Sequence, residues 1–287
     1  MDLSSSLLVG TSNFANLLSM IPSLLELHLS DCNLKETHLS HIIHNLTTLS
    51  NLQHLDLSSN TGPIPIFLGK LTELYLSCND LNGSIPASIG QFSKLHSLDV
   101  SYNSLEGEIY ESHFSNISML KEFDVASNSK LTLNVSCEWM PPFQLIRIDL
   151  CSCKIENGFP QWLRNQRKLQ RLVLSNTTIS GPLPTRLRKM PIIPFMDLSH
   201  NNLSGPLTNL PNGVTNVDDD DDDDDEDFIQ QHLFLQNNTF NDSIPRSLCK
   251  RRDLVNLDLS KNRLIRIIPK CFKNLQKLQF MRLSSNG

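Results

Sequence analysis

One phrase recurs along this chain and fixes most of what the chain can fold into. Counting back from an asparagine, apolar residues stand three, five and eight positions earlier. Leu71, Leu74 and Leu76 precede Asn79; Leu95, Leu98 and Val100 precede Asn103; Leu120, Phe123 and Val125 precede Asn128. The same frame holds before Asn201 and Asn262, and Asn60, Asn238 and Asn286 extend it. Cys32, Cys153 and Thr177 take the asparagine place in three further copies, which makes eleven. The key residue falls at 79, 103, 128, 153, 177 and 201, and again at 238, 262 and 286, a period of 24 or 25 where it is regular. Self-similarity at such a period marks stacked coils.

Each LxxLxLxxN reads as a short strand and a turn, with its leucines inward and the intervening residues outward. One coil cannot bury its own leucine face, so coils must stack into a column. An inward asparagine would cost ~1–3 kcal/mol if left unpaired. Its amide both donates and accepts, so it is expected to bond backbone groups of its own coil and the next. The expectation is an α/β solenoid over 1–287, a single domain of about eleven coils. A parallel sheet would line the concave face of a curved horseshoe or superhelix, with short 3-10 or irregular segments on the convex face.

The other half of the coil also repeats. Leu81-x-Gly83-x-Ile85-Pro86 returns as Ile179-x-Gly181-x-Leu183-Pro184, and Gly107 and Gly205 keep its glycine. Glycine permits a turn with positive φ, and proline, lacking a donor, ends an extended piece. This half resembles the plant-type extracellular leucine-rich repeat. Trp139-Met-Pro-Pro-Phe-Gln-Leu145, Phe159-Pro-Gln-Trp-Leu163, and Ser247-Leu-Cys249 with Ile268-Pro-Lys-Cys271 sharpen the match. The chain looks like part of the ectodomain of plant leucine-rich-repeat receptor-like proteins of the disease-resistance and elicitor-receptor kind. That family carries a signal peptide, terminal caps and a membrane helix. Met1-Asp2-Leu3-Ser4-Ser5 reads here as the back end of a strand. The expectation is an internal piece truncated at both ends, prone to fray or aggregate alone, that meets a membrane only through a missing segment.

Formal net charge is −5, but ten consecutive acids at Asp218–Asp227 supply more than all of it, since −5 + 10 = +5. Ten like charges cannot enter a leucine column, so this run reads as a disordered insertion; hard cations favour carboxylates, yet nothing fixes a coordination geometry. His38, His41 and His44 could share one face of a 3-10 turn but lack a fourth zinc ligand, and no metal or cofactor is expected. No stretch approaches the ~18 apolar residues that span a bilayer.

No GxSxG, HExxH, P-loop or kinase motif appears, so the chain reads as a non-enzyme. Basic clusters at Arg164-Arg167-Lys168, Arg186-Arg188-Lys189 and Lys250-Arg251-Arg252 follow the prolines of their coils and are placed on the convex side. They form no stripe with aromatics, which argues against nucleic acid. What remains is the outward face of the strands. A row of Asp56, Asp99, Asp124, Asp149, Asp197 and Asp258 could favour a basic ligand, though LDLS is simply common in this repeat. Tyr75, Tyr102, Arg147, Arg171, Phe195, His200, His232, Phe234 and Lys261 depart from the repeated letters and are the expected contacts for a peptide or protein ligand.

Sequons at Asn45, Asn82, Asn116, Asn134, Asn176, Asn202, Asn237 and Asn241 fit an extracellular origin. Cys249 and Cys271, from adjacent coils, form the expected disulfide in an oxidising compartment. The resemblance implies a plasma-membrane receptor, facing outward, in defence or developmental signalling, with a co-receptor kinase as partner. Its alternatives are a secreted inhibitor of polygalacturonase type and a non-functional gene fragment.

Overall fold

The structure is a computed structural model that describes residues 1–5, 18, 20–34, 49–60, 70–213, 230–265 and 267–286. The sequon Asn45, the histidines 38, 41 and 44, and the acidic run 218–227 lie outside these. Two compact units emerge, Met1–Leu145 with Ser152–Lys154, and Ile146–Cys151 with Ile155–Gly287.

In the first unit, strands Glu26–His28, His54–Asp56, Glu73–Tyr75, Ser97–Asp99 and Glu122–Asp124 pair in parallel and in chain order. In the second, Arg147–Asp149, Arg171–Val173, Phe195–Asp197, Gln231–Phe234, Leu254–Asp258 and Phe280–Arg282 do the same. Each strand is set in register by its central apolar residue: Leu55 faces Leu74 and Leu74 faces Leu98, and Ile148, Leu172, Met196 and Leu233 follow one another in the second unit. These side chains are at most 4% exposed. Register shifts at Gln231–His232, with a bulge where the first apolar position is the exposed Gln230.

The ladder residue does what its chemistry requires, with one change of direction. Asn128, fully buried, donates to the carbonyls of Val125 and Ala126 in its own coil and of Val100 in the preceding one. Its Oδ1 accepts the N–H of Leu105, also from the preceding coil. Asn103, Asn201, Asn238 and Asn262 repeat the arrangement. The asparagine therefore reaches back to the coil before it rather than on to the next. The Cys153 thiol keeps one such reach, donating to Val125 O at 3.0 Å. Thr177 keeps none, its hydroxyl donating within its own coil to Leu174 O.

The LxGxIP half is more ordered than irregular. It forms a second set of parallel strands: Asn82–Gly83, Ser104–Ile109 and Lys130–Leu133 in the first unit, and Ser180–Pro182, Asn202–Gly205, Thr239–Ser243 and Arg263–Ile265 in the second. Gly83 and Gly181 stand at φ of +75° and +82° with open space where a Cβ would be, so backbone conformation rather than room selects glycine there. The proline that follows opens a 3-10 helix instead of merely closing a strand. Pro86, Pro184 and Pro245 carry β-like ψ and accept the N–H three residues on, starting Ala87–Gln91, Thr185–Lys189 and Arg246–Lys250.

One placement corrects the sequence reading. Arg251 does not join Lys250 and Arg252 outside; it is 1% exposed. Eleven residues before the ladder position, several coils turn a side chain inward: Phe92, Ile117, Gln166, Met190 and Leu275 all do so. Arg251 occupies that slot. Its guanidinium donates to the carbonyls of Ile193 at 3.2 Å and Pro211 at 3.1 Å. Burial draws its pKa down to about 10, which leaves it charged at neutral pH.

Candidate ligand-binding face

The aspartate row is first a turn device. Four residues before the ladder position, Asp56, Asp99, Asp124, Asp149, Asp197 and Asp258 each use Oδ1 to accept the backbone N–H two residues on, at Ser58, Ser101, Ala126, Cys151, Ser199 and Ser260. Such Asx-type bonds close a tight turn. Tight turning shows again three residues after the aspartate position. Ser59, Cys78, Tyr102, Ser127, Ser152, Asn176, His200, Asn237, Lys261 and Ser285 all have φ between 52° and 60°. Three expected contacts, Tyr102, His200 and Lys261, therefore sit at this edge on left-handed backbone, which side chains adopt at some cost. All three are exposed, Tyr102 to 63%.

On the first unit, Tyr75 is half-buried and its hydroxyl donates to Glu73 at 3.1 Å. Burial, and then the neighbouring Glu73 carboxylate, push its phenol above the ordinary range. Glu73 also lies 3.0 Å from His54 Nδ1. Tyr75 is thus held within a polar group of its own sheet.

On the second unit, four of the expected contacts meet. Arg171 lays its guanidinium over the Phe195 ring at 4.1 Å and reaches Asp149 Oδ2 at 3.5 Å. Phe195 lies 5.7 Å from the His232 ring and 5.8 Å from Phe234, and His232 stacks on Phe234 at 6.4 Å with the planes 13° apart. Strand pairing dictates the contact, since Phe195 is the register partner of His232 and Arg171. Arg147 is in register with Arg171 and exposed. Burial lowers the His232 pKa and raises that of Asp149, against the opposing pull of Arg171. The sequence reading passed over two residues here. Asn256 donates its amide to His232 Nδ1 at 2.9 Å, and Gln236, two residues on from Phe234, keeps a buried, unpartnered Oε1. Gln236 breaks the mostly serine pattern of its row, which is the signal that could have found it, whereas the row of Asn256 is too mixed to mark it. His200 stands apart from the rings, its Nδ1 accepting from Asn237 at 3.0 Å. Lys261 joins no part of the aromatic group; its backbone N–H donates to Ser284 O.

Asn82, Asn116, Asn176, Asn202, Asn237 and Asn241 are exposed, while Asn134 is half-buried and donates to Glu108 at 2.7 Å. Cys249 and Cys271 are bonded, tying the 3-10 helix Arg246–Lys250 to Lys270–Asn274. Among the described residues no group of three or more His, Cys, Asp or Glu could hold a metal, and no helix is long and apolar enough to cross a membrane.

The Leucine Rich Repeat family profile matches residues 70–92 and 253–275. Receptor-like protein 35 of Arabidopsis thaliana is 32% identical over 243 residues, 82% of this chain and 22% of that protein. Receptor-like protein EIX2 of Solanum lycopersicum is 34% identical over 195 residues, 60% of this chain and 18% of that protein. The solved plant peptide hormone receptor RGFR1, in complex with RGF2, superposes with a TM-score of 0.78 at 26% identity, over all of this chain and 43% of that one. The chain thus spans about a fifth of the length of these curated relatives.

Proposed function

We propose, for a chain that belongs to the leucine-rich-repeat family and is built like plant receptor-like proteins, that it is a ligand-recognition segment whose strand face binds a peptide or a protein surface. The observation that carries this is the group of Arg171, Phe195, His232 and Phe234. Aromatic rings and a guanidinium are gathered on a rigid sheet, at positions where several other coils carry glutamate or aspartate. Central aromatics and arginine with a polar rim are what dominates binding energy at protein interfaces. Side chains already held in place lose little entropy on binding. The similar solved receptor was captured with a peptide hormone, which supports the same ligand class here.

Signalling would follow on the outer side of the plasma membrane, in defence or development, through a partner kinase, as the resemblance to receptor-like proteins implies. Exposed sequons and the Cys249–Cys271 bond support an oxidising compartment. The test is selection from a random heptapeptide library on the immobilised chain, alongside the double substitution F195A/F234A. The intact chain should enrich a peptide family that the variant fails to hold while melting at the same temperature. Enrichment unchanged in the variant, or none on the intact chain, refutes this face as the ligand site.

A further inference from the structure

In the second unit three strands carry the turn-closing aspartate, at 149, 197 and 258, and each has one oxygen engaged by its own backbone. The second oxygen tells them apart. Asp149 Oδ2 lies 3.5 Å from Arg171, and Asp258 Oδ2 lies 3.8 Å from Arg282. In both cases the cation comes from the strand that follows, either directly across, as with Arg282, or two residues earlier, as with Arg171. On the strand that follows Asp197 those two places hold Phe234 and His232. Phe234 carries no charge. His232 is no substitute, because its Nδ1 already accepts the Asn256 amide, a bond that a protonated Nδ1 could not make. Among the described residues Asp197 has no ion-pair partner, and it is half-buried, two residues on from Phe195 in its own strand and directly across from Phe234.

We propose that Asp197 receives the ammonium or guanidinium group of a lysine or arginine side chain of a bound peptide, beside the ring of Phe234. The guest cation takes the place that Arg171 and Arg282 fill for the other two aspartates. A carboxylate partly withdrawn from water pairs more strongly than an exposed one, and the adjacent ring adds a face that attracts cations. This inference rests on the peptide-recognition reading and names the chemistry it selects for.

The same heptapeptide selection, run on the full chain, tests it separately. Peptides held by the intact chain should be enriched in lysine or arginine at one position. D197N keeps an oxygen for the Ser199 N–H and so keeps the turn, but removes the charge; it should weaken those peptides by about tenfold or more. If peptides are enriched and lost in F195A/F234A but show no basic residue, or bind D197N within about twofold of the intact chain, the Asp197 assignment falls and the peptide site stands. If no peptide is enriched, both fall.

Discussion

Replacing Asn128 by alanine tests the ladder on which the stacking rests. The side chain has no exposure and makes four bonds of 3.3 Å or less. Alanine leaves the Leu105 N–H without its acceptor at the junction between two coils, while the Val100 carbonyl keeps the Asn103 amide at 3.0 Å. The Val125 carbonyl also keeps a partner, because the Cys153 thiol still donates to it at 3.0 Å. A buried group stranded in this way costs ~1–3 kcal/mol, and that is the loss expected in N128A. Aspartate at the same site keeps an acceptor for Leu105 but loses the donors to both carbonyls. Serine is too short to reach the preceding coil and should resemble alanine. Urea unfolding followed by far-ultraviolet circular dichroism measures the loss, and amide exchange at Leu105 locates it. A drop of less than about 1 kcal/mol in N128A, or Leu105 exchange no faster than in the unaltered chain, would show that the ladder does not join the coils.

Three further outcomes follow from particular groups. His232 has a folded pKa below its ordinary value of 6.5 because burial disfavours the charged ring. Between the two values the unfolded chain binds the proton and the folded chain does not, so stability rises with pH there. Acidification just below 6.5 should lower the melting temperature, and H232F should flatten that slope; an identical slope in the variant refutes it. Replacing Arg251 by lysine keeps the charge but cannot hold both the Ile193 and Pro211 carbonyls in a fork. A loss of ~1–3 kcal/mol in urea unfolding is expected, and an unchanged midpoint would count against the clamp. Removing the Cys249–Cys271 bond by double serine substitution, which opens a link across 22 residues, should cost ~3 kcal/mol by the same assay.

The leucine column and its asparagines were legible because period and burial are the same fact in a stacked coil. Leu98 and Leu172 must face inward if Leu74 and Ile148 do. The aspartate row was not legible as structure or as site, since a carboxylate that closes a turn and one that awaits a ligand have the same letter. Only the partner of the second oxygen separates Asp197 from Asp149. The left-handed edge was hidden for a related reason. Serine, asparagine, tyrosine and lysine all occupy it, so its conformation is imposed by the turn and not announced by residue type. Arg251 was legible in principle: Phe92, Met190 and Leu275 share its place in the period, and the frame that found the leucines would have put it inside. Its neighbours Lys250 and Arg252 misled, because adjacency in a charge run says nothing about direction on a 3-10 turn.

Recognition on such a face is therefore encoded by exceptions whose meaning depends on the neighbouring coil. Phe195 stands alone in its strand as one aromatic, and becomes part of a surface only because His232 is its register partner and Phe234 lies within reach. The bulge at Gln231–His232 falls in the strand Gln231–Phe234, inside the 37-residue interval between Asn201 and Asn238. Register is nonetheless recovered at His232, Leu233 and Phe234, which pair with Phe195, Met196 and Asp197 on one side and Asn256, Leu257 and Asp258 on the other. The leucine column forces that recovery: a one-residue slip would turn Leu233 and Leu235 outward and drive His232 and Phe234 into the core. The inward apolar residues thus fix where the aromatic side chains stand.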